Sequence, residues 1–411
     1  MPRRPRGWQS RPAPLVLSKG ELERQFQEAI LLWMVVGDCP APDFFWLAAV
    51  QLFEEMERRF PRVERPRFPA LRFDFNTLGD AECLANFRMN REELETLLFE
   101  LRLPDTINVP HQGNVPSFLL LLVVLRRMAL PDRLQDMSHL FYRDPTTLSR
   151  LFAAGVHVIF VTYSSRMGLS LSLVLPRLRM YADAVQRRLD VIHKSRFELP
   201  PIWGFVDGHL VRIARPSVGG EWHLYNGRKS AHFLNFQGIV APDGLIVDFF
   251  GPVVGSTHDI SMLQQSRVLQ KLQGRRDVFG QFDGSQQFCL IGDQGYVNSQ
   301  FLITPFRAPP GGVLSRDFQT FNRVVSRVRV SVEMAFGKLT NTFAHQTYWR
   351  KLQLYRTNPG RVCRTAAFLV NCIVCIRGRH SNIFEVFRVP PPSLAEYLQS
   401  VRENEMNIYG A

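Results

Sequence analysis

The spacing of apolar positions changes near residue 200, and the change divides the chain into two kinds of structure. Within 20–59, Phe26, Ile30, Trp33 and Met34 recur at helical spacing, and a proline-containing break leads into a second apolar stretch over 45–60. A Pro/Arg-rich linker is expected over 61–69. Asn90-Arg-Glu-Glu93 reads as a cap with an acidic first turn, opening a helix that runs to Leu101. A loop is expected over 104–116, then a buried helix over 117–130 ended by Pro131. Residues 134–141 and 146–156, joined by Tyr142-Arg-Asp-Pro145, predict two helices across a tight turn. This is a helix-turn-helix pattern in which Thr146, Thr147, Ser149 and Arg150 open the second helix, where base or phosphate contacts are made. An ordinary helical hairpin has the same spacing. A further helix is predicted over 175–194.

Beyond it the period shortens. Segments 202–206, 210–214, 232–240 and 245–250 are rich in Ile, Val and Phe, and turn signals such as Pro242-Asp-Gly244 separate them. Helix returns over 259–272, a strand is predicted over 288–291, and a long helix over 316–343 carries Phe318, Phe321, Val325, Val328, Val332 and Phe336 at its apolar positions. Strands first, then strands alternating with helices, predict an α/β domain with a mixed sheet flanked by helices. The expected organisation is a basic tail (1–19), a helical DNA-binding region (20–195), an α/β domain (196–380) and a C-terminal tail (381–411).

Composition narrows the partners. With 45% hydrophobic and 11% aromatic residues, the 411-residue chain can build a substantial core, which excludes wholesale disorder. The net charge of +13 is carried largely by arginine, whose planar fork suits phosphate, so a polyanion such as nucleic acid is favoured over an anionic membrane. Arg3, Arg4, Arg6 and Arg11 alternate with prolines and have no apolar core beside them, so the N-terminus is no secretory signal. It reads as a disordered basic tail suited to nuclear import or DNA contact, which places the protein in the nucleus, with the cytoplasm as second compartment. Six scattered cysteines, mostly in apolar runs, read as reduced core residues. The longest apolar stretches, 118–125 and 366–376, fall short of the ~20 residues that span a bilayer. No Gly-rich loop of the ATP-binding kind is present.

Four acids carry the candidate chemistry. Asp207 follows the apolar run 202–206, and Asp293 follows 288–292 in the same way. Asp259 stands where a helix begins, and Glu333 lies inside the long helix. An Asp at the carboxyl end of a buried strand sits where open α/β sheets form their active sites. Carboxylates without matching histidines or thiolates are hard oxygen ligands, suited to Mg²⁺ or Mn²⁺. A pair of such ions would activate a water or 3′-hydroxyl and stabilise the leaving oxygen of a phosphodiester. Taken singly, each acid is equally well a turn, a cap or a solvated helix face.

Five segments carry a resemblance: Phe205-Val-Asp-Gly208, Phe236-Gln-Gly-Ile-Val-Ala-Pro-Asp-Gly244, Gly251-Pro-Val-Val-Gly-Ser-Thr-His-Asp259, Gly292-Asp-Gln-Gly-Tyr296 and Val332-Glu-Met-Ala-Phe-Gly337. Over roughly 85–380 the chain resembles the PIF/Harbinger transposases and the Harbinger-derived nucleases. The resemblance implies a ribonuclease H-like core with a DDE site in which Asp207, Asp293 and Glu333 form the triad and Asp259 is an additional or alternative ligand. It also implies cut-and-paste transposition into short T/A-rich targets with a separate Myb-like DNA-binding partner. Two departures are visible: Asp207-Gly-His209 stands where Asp-Gly-Thr is common, and Gly227-Arg-Lys-Ser230 where a Gly-His-Lys-Arg-like segment is. Neither touches a carboxylate.

Arg212, Arg215, Arg228 and Lys229, with Trp222, His223 and Tyr225 among them, read as a basic aromatic loop that grips the scissile strand. Arg323 and Arg327 add DNA contacts along the long helix, where Arg329 is positioned to pair with Glu333. His209 and His258 flank two of the acids and read either as orienting groups or as packed histidines. Cys372, Cys375 and His380 lack a second CxxC, so zinc is not expected. The sequence therefore predicts a metal-dependent DNA nuclease, with a homo-oligomer expected. The competing reading is a domesticated DNA-binding or partner-recruiting protein whose nuclease is dispensable.

Overall fold

The computed structural model describes residues 18–35, 42–59, 73–192, 199–216, 221–280, 287–354, 356–380 and 382–399. The Arg/Pro-rich opening, the 61–69 linker and Cys39 lie outside the described residues. The chain forms two compact units, Met1–Pro66 with Ser217–Gly219, and Arg67–Pro216 with Gly220–Ala411. In the first, α1 (Lys19–Val35) and α2 (Pro42–Arg59) pack together through Leu22, Ala49 and the Phe26–Phe53 ring contact at 5.9 Å.

The second unit begins with helices. α3 (Asp80–Phe87) and α4 (Arg91–Leu101) lead in, and the cap read at Asn90 is present. The Asn90 side chain accepts from the Glu93 amide (2.8 Å), and the Glu93 carboxylate accepts from the Asn90 amide (3.0 Å) and pairs with Arg377 (2.7 Å). Asn90→Ala should cost about 1 kcal/mol in urea unfolding; an unchanged midpoint would mean the cap does not hold this helix. The expected loop over 104–116 is instead a hairpin, β1 (Thr106–Val109) with β2 (Gly113–Pro116), closed by a turn with His111 and Gly113 at positive φ. Four-residue strands beside prolines give too little alternation to read from the sequence. Behind them α5 (Ser117–Ala129) is buried almost all round, and α6 (Leu134–Phe141) and α7 (Pro145–Tyr163) form the predicted helical pair. α7 presses close to α5, since a Cβ on Gly155 would meet Val124 at 2.6 Å. α8 (Leu178–Ile192) leads to the sheet.

Six strands follow: β3 (Ile202–Arg212), β4 (Tyr225–Asn226), β5 (Ala231–Val240), β6 (Ile246–Val254), β7 (Cys289–Ile291) and β8 (Leu302–Ile303). β6, β5 and β3 pair antiparallel, and β7 and β8 continue beyond β3 in parallel, giving the order β6-β5-β3-β7-β8, with the short β4 on the start of β5. This mixed order, flanked by helices, is the ribonuclease H-like arrangement. The segments 202–206 and 210–214 are one strand, not two. Asp207, Gly208 and His209 pair with Gly238, Gln237 and Phe236, so the polar interruption lies inside a continuous ladder.

Helices cover both faces. α9 (Asp259–Ser266) and α10 (Val268–Gln273) are separated by Arg267 at φ 55°, which divides the single helix expected over 259–272. Met262 of α9 approaches the face toward which a Gly208 side chain would point. α11 (Arg316–Thr342) lies on the other face and buries Val324, Val325, Val328, Val332, Ala335 and Phe336. Phe336 rests on Gly238, where a Cβ would stand 2.7 Å from the ring, so glycine lets the helix close on the sheet beside Asp207.

α12 (Pro359–Arg377) and α13 (Asn382–Phe387) complete the fold. Buried Asn371 of α12 accepts from the Ile246 amide (2.9 Å) and donates to the Ile246 carbonyl (2.8 Å) and the Tyr397 hydroxyl (3.1 Å). The segment beyond residue 380 thus contributes core through Phe387, Val389, Leu394 and Tyr397. Two helical stretches, Pro145–Met167 and Pro359–His380, do reach a membrane-spanning length and hydropathy, contrary to the reading from uninterrupted apolar runs. The second is 83% buried within the protein, so its apolarity fills the core. The five described cysteines are free and buried, as expected.

Candidate active site

Asp207 and Asp293 stand side by side because of strand register. Phe205 of β3 pairs in parallel with Ile291 of β7, and each acid lies two residues further on. Each carboxylate also accepts a local amide: Asp207 from Gly208 (2.9 Å), Asp293 from Gly295 (2.8 Å). Asp259 reaches the pair from the first turn of α9. Its Oδ1 lies 3.0 Å from where a Gly208 Cβ would be, and its Oδ2 lies 2.6 Å from the Gly295 Cβ position, where Asp293 Oδ1 is 2.9 Å away. Gly208 and Gly295 are bare because carboxylates occupy the space their side chains would need.

Glu333 joins from α11 through Arg329. That guanidinium donates to Asp207 Oδ2 at 2.7 Å and to Glu333 Oε1 at 2.6 Å. The Arg329–Glu333 pair is the one the sequence suggested; the bridge to Asp207 is the part it did not reveal, because 122 residues separate the partners. The acids are therefore arranged as two pairs around β3, Asp259 with Asp293 and Asp207 with Glu333. Among the described residues no group of three or more His, Cys, Asp or Glu stands so as to hold a metal ion.

Burial and mutual repulsion raise two of the acids. Burial pushes the Asp207 acid up to about 6; Arg329 opposes the rise, while Asp293 and Glu333 add to it. Asp259 is also raised, first by burial and then by Asp293. Tyr296 is buried with its hydroxyl unpartnered, and burial and then the charges of Asp259, Asp207 and Asp293 hold it well above its ordinary value. Asn235 lies on the neighbouring strand with Oδ1 buried and unpartnered, 3.9 Å from the Gly208 Cβ position. Dehydrated carboxylates and an orphaned amide oxygen fit a hard divalent ion by donor chemistry. Sequence reasoning missed Asn235 and Tyr296. Tyr296 closes one of the quoted motifs, and Asn235 immediately precedes another.

Residues 206–371 match the family model described as DDE superfamily endonuclease. Over these residues, less than half of the chain, the protein is similar to a DDE endonuclease domain. Nucleases of that superfamily typically use divalent metal ions. Neither the curated proteins nor the solved structures give a match to the chain.

Within the matched segment the two histidines have different surroundings. His209 packs between Phe336 (4.9 Å) and Phe249 (6.1 Å), and burial lowers its pKa to about 4, so it serves as a neutral core ring. His258 is exposed at the N-cap of α9. The aromatic–basic segment is pinned beside the acids. Asn226 donates to the Gly255 carbonyl (3.0 Å), and Ser256 donates to the His223 carbonyl (3.0 Å), fastening the β4–β5 hairpin to the loop that enters Asp259. Trp222 is 69% exposed there, and Arg228 and Lys229 are exposed in the hairpin turn. Arg212 lies at the far end of β3 from Asp207, stacked over Trp349 at 4.5 Å, with Arg350 on the same ring at 5.2 Å. Arg215 is exposed nearby, and Arg323 and Arg327 are exposed on successive turns of α11 before Arg329. In the helical part, Asp144 caps α7 by accepting the amides of Thr146 and Thr147. Thr147 is buried with its hydroxyl donated to the same Asp144, while Thr146 and Arg150 are half-exposed.

Proposed function

We propose that this protein is a divalent-metal-dependent DNA endonuclease of the transposase type, cleaving phosphodiester bonds. The observation that carries the reading is that Asp207 on β3 and Asp293 just beyond β7 each lie two residues past the paired Phe205 and Ile291, with Asp259 beside Asp293 and Glu333 reached through a shared guanidinium. Asp207, Asp293 and Glu333 are the catalytic acids, and with Asp259 they would hold Mg²⁺ or Mn²⁺. Ions bound by such oxygens supply an activated water or 3′-hydroxyl and stabilise the leaving oxygen. The chain's own contribution is to half-bury the three aspartates and to aim the acids. Trp222 offers a face for an unstacked base. Arg212, Arg215, Arg228, Lys229, Arg323 and Arg327 contact the backbone, and Thr146, Thr147 and Arg150 open the helix proposed to meet DNA in region 20–195. A homo-oligomer, a Myb-like partner and a nuclear location complete the proposal.

Incubating the purified chain with supercoiled and T/A-rich duplex DNA, with Mg²⁺, Mn²⁺ or chelator, tests it. Nicks or breaks that need the ion support the reading; no cleavage under any condition rejects it. A double Arg323→Ala, Arg327→Ala change should weaken DNA binding on all sequences alike and flatten the salt dependence of log K by about 2. An unchanged slope would take α11 out of the DNA path.

A further inference from the structure

We infer that Arg329 is a resident countercation that keeps the acid site closed until a divalent ion and DNA displace it together. The inference rests on the nuclease reading above. One planar fork spans an acid of β3 and an acid of α11, and both contacts are short and charge-assisted. The Arg329 and Asp207 side chains are 21% and 19% exposed, so both charges are largely withdrawn from water. Arg329 is held by the two acids together, and Asp207 by Arg329 and the Gly208 amide.

A divalent ion shared by Asp207 and Glu333 needs the oxygens that Arg329 now occupies. Guanidinium and ion therefore compete, and the acids remain two separate pairs while the guanidinium is in place. Once displaced it needs another anion. It projects from α11 one turn before Glu333, so a DNA phosphate lying over the acids would meet the same fork with two oxygens. The consequence is reciprocal coupling: DNA tightens the ion by giving Arg329 a new partner, and the ion tightens DNA by releasing Arg329. Arg329 is thus a positioning residue that acts through the acids it holds.

The test is Mn²⁺ binding by the full chain without DNA, followed by the resonance signal of the free ion, in wild type, Arg329→Met and Arg329→Lys. Methionine removes the competitor and should tighten Mn²⁺ by about tenfold or more, the size expected for losing one charge-assisted pair. Lysine keeps the charge but grips one carboxylate at a time, so its affinity should fall between the two. Wild type that binds Mn²⁺ no more weakly than the folded variants overturns the inference and leaves the nuclease reading standing. No Mn²⁺ binding by wild type or either variant removes the nuclease reading itself. Should neither variant fold, wild type decides: a short duplex, read before it is cut, must tighten Mn²⁺, and an unchanged affinity overturns the inference.

Discussion

Asp207→Asn should bind DNA no more weakly than the parent and lose ion-dependent cleavage by on the order of a thousandfold or more. Asparagine keeps the shape of the side chain and removes only the charge. The native carboxylate is dehydrated by burial and stands beside Asp293, so its charge persists at neutral pH at some cost to the fold. The neutral amide removes that cost, and thermal unfolding should show the variant no less stable than the parent. Glu333→Gln should silence cleavage in the same way, since it lies on α11 one turn beyond Arg329 and shares the same guanidinium. If both variants cut DNA at the parent rate, the acids are not the catalytic set.

Gly295→Ala should have the second largest effect, a loss of cleavage on the order of a hundredfold with little loss of stability. The new methyl would stand 2.6 Å from Asp259 Oδ2 and 2.9 Å from Asp293 Oδ1, closer than a carbon and an oxygen can approach. Both carboxylates must swing aside, and the misplaced oxygens no longer present a common target. Gly295 lies in a half-exposed turn, so the strain relaxes locally and urea unfolding should move by less than about 1 kcal/mol. The experiment also bears on Asp259. Cleavage at the parent rate in Gly295→Ala would mean that the Asp259–Asp293 proximity is not used, leaving Asp207, Asp293 and Glu333 without it.

Most of the architecture was readable because long periodic segments state their own structure. The helices at 91–101, 117–129 and 316–342 begin and end within a residue or two of where capping and apolar spacing put them. The four acids fall in the elements assigned to them, with one adjustment: Asp207 lies within a strand and not at its end. A Gly beside an Asp and a His resembles a turn by composition, and only a neighbouring strand reveals that these residues pair straight through. The 106–116 hairpin was lost because its alternation is too short, and the Arg267 break because a single left-handed residue leaves no periodic trace. Arg329's bridge to Asp207, and the orphaned oxygens of Asn235 and Tyr296, depend on contacts between remote segments. Local pattern carries no information about those.

Asn371 does more than join α12 to the sheet. With one side-chain amide it takes both main-chain groups of Ile246, as the next strand in a ladder would, and it does so on the outermost of the antiparallel strands. A strand margin left open invites a second chain to add itself and grow into an aggregate. At this point the molecule supplies its own imitation neighbour, so the strand's outer groups are already taken and a second sheet has nothing to join there.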